Sequence, residues 1–186
     1  MRAWFFKRLL TLLEKHTPEF VRSIQIQILL NATASAFGRP EKRVWHLPGD
    51  RALAAYTAFT KECMSEPAAD RRRVYRCAYM LGRKVRNITG FSAERDRERL
   101  VIWLYGNIGI RMMGHLPGEI VIPSCYFGQF YTPAQCRTMS LMDQGIISGI
   151  CGGGKLIFTK RITQGYSRCA ACLLQKKAAE PGRDGK

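Results

Sequence analysis

No stretch of this 186-residue chain holds the about 18 consecutive apolar residues that a membrane-spanning helix needs, so no span is expected. Acidic residues are scarce: 14 Asp and Glu stand against 30 Lys and Arg, a formal charge of +16. Such an excess favours a small anionic substrate, an anionic membrane surface or nucleic acid as partner. No RNP, KH, zinc-finger or helix-turn-helix signature accompanies it, so charge alone carries the nucleic-acid reading. The seven cysteines do not form a disulfide pattern, being odd in number and scattered over helical and strand-like segments. A reducing, cytoplasmic setting is therefore expected. No secretory leader is expected either. Ala34, Ser35 and Ala36 follow an apolar stretch, but Gln25 and Gln27 interrupt it, and Glu14 and Glu19 fall where a basic leader would lie.

What is present suffices for one core: 46% of the residues are hydrophobic. The reading is a single domain over 1–186, with a mainly helical portion over 1–106, an α+β unit containing most of the cysteines over 107–175, and a basic disordered tail over 176–186. Residues 2–15 set Trp4, Phe5, Leu9, Leu12 and Leu13 against Arg2, Lys7, Arg8 and Lys15, an amphipathic helix suited to the core or to a membrane interface. Thr17 and Pro18 open a second helix to about Phe37, although Ile24, Ile26 and Ile28 also alternate as a strand would. Asp50 is expected to cap a third helix and Ser92 a fifth. Between them Val74, Cys77, Ala78, Leu81 and Val85 keep helical spacing, with Arg71, Arg72, Arg73, Arg76, Arg83, Lys84 and Arg86 on the other faces. His46, in a loop beside Trp45, reads as a surface residue.

From Ile108 onward the pattern changes. Ile108 to Met113 and Glu119 to Ile122 read as a hairpin, Thr132 and Pro133 open a helix, and Lys155 to Ile162 and Cys169 to Leu174 read as two further strands. The expected fold class is therefore α+β, with N-terminal helices packed on a C-terminal antiparallel sheet in the order strand, strand, helix, strand, strand. Gly149 to Lys155 fits G-x-x-x-x-G-K, yet it is not a phosphate loop. Leu156 stands where Ser or Thr would hold magnesium, and the loop joins a helix to a strand rather than the reverse. Cys169 and Cys172, in a strand, point to opposite faces and cannot grip one ion.

Cys125, Cys136 and Cys169, with Asp143, remain as candidate chemistry. Three readings stay open. The thiols are small core residues; or Cys125 or Cys136 is a nucleophile, Cys136 lying in the first turn of a helix with Asp143 seven residues on along the same face; or Cys125, Cys136 and Cys169 ligate iron, an iron–sulfur cluster or zinc. Lys155 and Arg161 are available to neutralise a substrate carboxylate.

The spacing of Cys125, Cys136 and Asp143, then a strand, then Arg161, Ile162, Thr163, Gly165 and Cys169, resembles the C-terminal half of the L-2-amino-thiazoline-4-carboxylic acid hydrolase-like family. More distantly, DQGIISGI before a strand and a glycine turn is similar to the 4-vinyl reductase ligand-binding domain, whose fold TRAPP-type tethering subunits share. The resemblance covers the last third of the chain. It implies a hydrolase-like enzyme acting on a small anionic C–N or C–S compound, with Cys125, Cys136 and Asp143 catalytic and Lys155, Arg161 and Thr163 binding substrate.

Overall fold

In a computed structural model, which describes residues 2–65 and 70–174, five helices precede the first strand. They are α1 (Arg2–Lys15), α2 (Glu19–Phe37), α3 (Gly49–Met64), α4 (Arg71–Thr89) and α5 (Glu94–Gly106). A hairpin of β1 (Ile110–Gly114) and β2 (Gly118–Cys125) follows, then α6 (Pro133–Cys151), β3 (Lys155–Lys160) and β4 (Cys169–Leu174). The four strands form one antiparallel sheet in the order β1, β2, β4, β3. The fold is α+β, as the pattern predicts. The tail over 176–186 lies outside the described residues.

Local chemistry explains most boundaries. Pro18 stands before α2 and Gly38 ends it with φ 68°. The Asp70 carboxylate caps α4, accepting from the Arg72 amide at 2.9 Å. Two expected caps are absent. Asp50 instead accepts from Arg22 at 2.6 Å, while Glu19 of α2 accepts from the Gly49 amide at 2.7 Å, so the start of α3 is satisfied by another helix. At α5 the cap position falls on Ala93, with no side-chain hydrogen bond.

Helix wins over strand in α2 because its buried side is a helical stripe. Ile26, Leu30 and Ala34, four residues apart, are fully buried, whereas Phe20, Ile24 and Ile28 are exposed. In α4 the inward residues are Val74, Ala78 and Gly82, while Cys77, Leu81 and Val85 are only half-buried.

α4 and α6 cross at unusually short range. A methyl group added at Gly149 would lie 2.4 Å from the Tyr79 carbonyl oxygen, one at Gly82 2.2 Å from that of Ile146, and one at Gly145 2.5 Å from the Ala78 Cβ. Small residues on both helices are what let the backbones touch. Thus α6, buried from Met139 to Met142 and again from Gly145 to Cys151, is held against α4 on one side and reaches β3 on the other. One cluster of buried apolar side chains runs from Leu10 in α1 to Leu173 in β4.

Candidate functional site

The start of α6 is fixed by its own sequence. Thr132 Oγ1 accepts from the Gln135 amide and Gln135 Oε1 accepts from the Thr132 amide, a reciprocal cap with Pro133 in the first helical position. That start places Cys136 in the first turn. Met139, Ser140, Asp143 and Ile146 then follow on one side of the helix. This side forms the inner wall of a cavity of about 320 Å³, lined elsewhere by α2, Tyr56 of α3, α4, α5, Ile110 of β1, Cys125 at the end of β2, Phe127 and Tyr131. Cavities of this size hold a small organic ligand.

The wall is almost entirely apolar, and most polar groups in it already have partners. Tyr56 Oη is 3.1 Å from Thr33 Oγ1, and Tyr131 Oη bonds Thr60 Oγ1. Gln25 donates to the Leu104 carbonyl and accepts from Asn107, and Ser140 donates to the Cys136 carbonyl. Asp143 differs. Its one hydrogen bond among the described residues is received from Tyr105 Oη at 3.1 Å on Oδ1, and the residue is part of the cavity wall. Burial pushes this carboxyl up to about 6, against smaller downward pulls from the Tyr105 hydrogen bond and the Arg161 charge. The same burial, with Asp143 alongside, raises Tyr105 well above the usual phenol value.

The sequence-predicted set Cys125, Cys136 and Asp143 is brought together on this wall. The two thiols are not equivalent. Burial, then the Asp143 charge, pushes Cys125 up to about 12, so it is a protonated thiol near neutral pH. That state does not favour Cys125 as a thiolate nucleophile. Cys136 heads α6 and remains half-buried. From Cys136 to Asp143 the helix rises about 10 Å, two turns. The pair can therefore grip two ends of one ligand, but cannot pass a proton directly.

Cys169 is buried on β4, outside the cavity wall, and its sulfur accepts from the Ile162 amide at 3.3 Å. Burial raises its pKa, and Cys136 is close enough to add to the rise. Even so, among the described residues no three His, Cys, Asp or Glu side chains gather where they could hold a metal ion. The expected three-thiol ligand set, and with it the iron, iron–sulfur or zinc reading, therefore finds no support among the described residues. One sulfur is engaged by a backbone amide, and another belongs to the apolar wall. Cys169 and Cys172 alternate between faces of β4, as strand geometry requires.

The expected substrate-binding trio is also displaced from the cavity. Lys155 is exposed at the start of β3. The Arg161 guanidinium lies 4.8 Å from the Phe158 ring centre, and neither Arg161 nor Thr163 lines the wall, though Arg161 Nε and Thr163 Oγ1 are buried without hydrogen-bond partners. Of the basic residues on α4, Arg73 donates to the Ser35 carbonyl at 2.7 Å and Arg86 packs against Gly152. What the sequence reading missed is the opposite wall: Gln25, Trp103 and Tyr105, from helices remote in the chain. The available signals were a glutamine interrupting the apolar run of α2 and a tyrosine in the apolar half of α5.

No helix among the described residues is long and apolar enough to cross a membrane. No protein-family profile, curated protein or solved structure matches this chain.

Proposed function

We propose that the chain binds a small, mainly apolar molecule bearing an amine or amidine end, seated in the cavity with that end on Asp143. The observation that carries this reading is the Asp143 carboxyl, which lines a mainly apolar cavity and whose one hydrogen bond among the described residues comes from Tyr105. A buried carboxyl of this kind is costly unless something donates to it. A ligand N–H, charged or neutral, supplies what Tyr105 alone does not. The anionic substrate expected from composition suits the wall less well, since the wall carries a carboxyl and neither Lys nor Arg.

Cys136 favours a second, catalytic reading of the same cavity, in line with the resemblance of Cys125, Cys136 and Asp143 to the hydrolase-like family. Cys136 stands in the first turn of α6 and belongs to the cavity wall. A ligand held at Asp143 would present its far end there. Attack would form a sulfur–carbon bond as a C–N bond breaks, the leaving amine taking up a proton, and water would then release the acyl or amidino group from sulfur.

Calorimetric titration with octylamine, octanol and octanoate tests the binding reading. Octylamine should bind most tightly, and Asp143→Asn should remove its advantage over octanol. Equal affinities for amine and alcohol in the unaltered chain would overturn the assignment. For the catalytic reading, iodoacetamide should modify Cys136 and octylamine should slow the reaction. A Cys136 that resists alkylation under native conditions sinks it.

A further inference from the structure

The cavity has a mouth. Ile24 and Ile28 belong to its wall and are each 47% exposed, so they mark the point where it meets the surface. One turn earlier on α2, Phe20 is exposed as well. Trp103 at the wall donates through Nε1 to Thr17 Oγ1 at 2.9 Å, which ties the α1–α2 turn to the mouth. From there α1 runs beside α5 and turns outward Trp4, 60% exposed, with Phe5 and Leu12. On the other flank, Leu81 borders both the cavity and a shallow hollow whose rim includes Arg2, Met80, Arg83, Lys84 and Ile88. Apolar side chains thus surround the opening and continue along two helices.

The net charge of this face is positive. Its acids are paired internally: Glu14 with Arg99, and Asp96 with Lys7 at 2.7 Å. Glu19, beside Phe20, is occupied by the Gly49 amide. Arg2, Arg8, Lys15, Arg83 and Lys84 remain exposed, and the Arg8 guanidinium lies 4.4 Å from the Trp4 ring centre.

We propose that this face docks on an anionic lipid bilayer, with Trp4, Phe5, Ile24 and Ile28 entering the interface and the cavity opening toward the acyl chains. The inference rests on the ligand-binding reading above for what passes through the mouth, namely an apolar amine drawn from the lipid phase. Tryptophan and phenylalanine among aliphatic side chains, ringed by long cationic ones, are the chemistry of an interfacial helix. Nucleic acid fits less well because isoleucine and leucine offer bases nothing to stack on. A second copy of the chain would set like charges against each other.

Co-sedimentation of the full chain tests the proposal, using vesicles of phosphatidylcholine alone and of phosphatidylcholine with about one third phosphatidylglycerol, in low and high salt. Binding should require the anionic lipid and weaken with salt. Arg83→Glu with Lys84→Glu should reduce the partition coefficient at least ~25-fold, taking about fivefold per cation. Trp4→Ala with Phe5→Ala should reduce binding by a similar factor while leaving net charge unchanged. Arg71→Glu with Arg72→Glu, at the far end of α4, makes the same charge change away from the mouth and should have little effect. Equal loss in the Arg71 and Arg72 variant would reveal attraction through net charge alone and overturn the assignment. So would binding indifferent to Trp4 and Phe5, or association only with RNA or with itself. Octylamine affinity in vesicle-free buffer depends on Asp143 and not on Trp4, so failure of docking and failure of the cavity reading remain separable.

Discussion

Replacing Asp143 with Asn should make the protein more stable at neutral pH, and the pH dependence of the gain identifies its cause. In the unfolded chain an aspartate titrates at about 3.9. In the fold, burial raises Asp143 to about 6. The folded state therefore holds this proton more tightly than the unfolded state does. The stability that Asp143 contributes is complete below about pH 4 and is lost as pH rises through 6. A shift of about two pH units corresponds to roughly 3 kcal/mol at 1.36 kcal/mol per unit. Asn fills nearly the same volume and keeps an oxygen to accept from Tyr105 Oη, but never ionises. Urea unfolding of both proteins from about pH 4 to 8 should then give a difference that is small at the acid end, about half developed near pH 5, and level at roughly 3 kcal/mol in favour of Asn above pH 7. Other carboxyls contribute equally to both curves and cancel in the difference. A difference that stays flat over this range would refute the burial argument for Asp143.

Three further outcomes follow from the same geometry. Tyr105→Phe removes the hydrogen bond that holds Asp143 down, so the midpoint of that stability difference should move upward from its place near pH 5, with a direct cost of about 1 kcal/mol; an unmoved midpoint would show that the bond does not couple to the carboxyl. Gly149→Ala should lower urea-derived stability by at least about 2 kcal/mol despite the ~1 kcal/mol gain in helix propensity, because its methyl group would meet the Tyr79 carbonyl; a neutral or stabilising result would mean that α4 and α6 separate freely. Cys125, pushed up to about 12, should remain unmodified by iodoacetamide at pH 8 in the folded protein, where roughly 10⁻⁴ of it is thiolate; rapid labelling at that position by mass spectrometry would contradict its placement.

The helices and the sheet were legible because their signals are local. Pro18 and the Thr132–Pro133 start act within one turn of chain, and the strands of the C-terminal half alternate over a few residues. Which side of a helix faces inward is a different kind of information. In α2 two apolar stripes share the same spacing, Phe20, Ile24, Ile28 and Ile26, Leu30, Ala34, and only packing against the neighbouring helices selects the second as core. Cys136 and Asp143 could be placed on one face from their separation of seven residues. Tyr105 could not be joined to Asp143, since 38 residues separate them and no local rule spans that distance. Lys155 and Arg161 looked available because they are basic and near Cys169 in sequence. The fold places Lys155 in solvent and Arg161 over Phe158, outside the cavity wall though near enough for its charge to reach Asp143.

The arrangement around Asp143 is better explained by use than by stability. An ionised carboxyl in this wall costs the folded state roughly 3 kcal/mol near pH 8, a large part of an ordinary domain's margin. Asn would keep the Tyr105 hydrogen bond without that cost. The unfilled cavity beside it forfeits the packing contacts that larger side chains would supply. The exposed Ile24 and Ile28 leave its entrance uncovered, although the inward stripe of the same helix is fully buried. Three departures from a well-packed interior therefore coincide at one place, while the α4–α6 crossing nearby is packed to backbone contact. A fold that packs this tightly at Gly145 and Gly149 has the means to close the space at Met139 and Asp143. Its failure to do so there is the physical reason to look for a ligand.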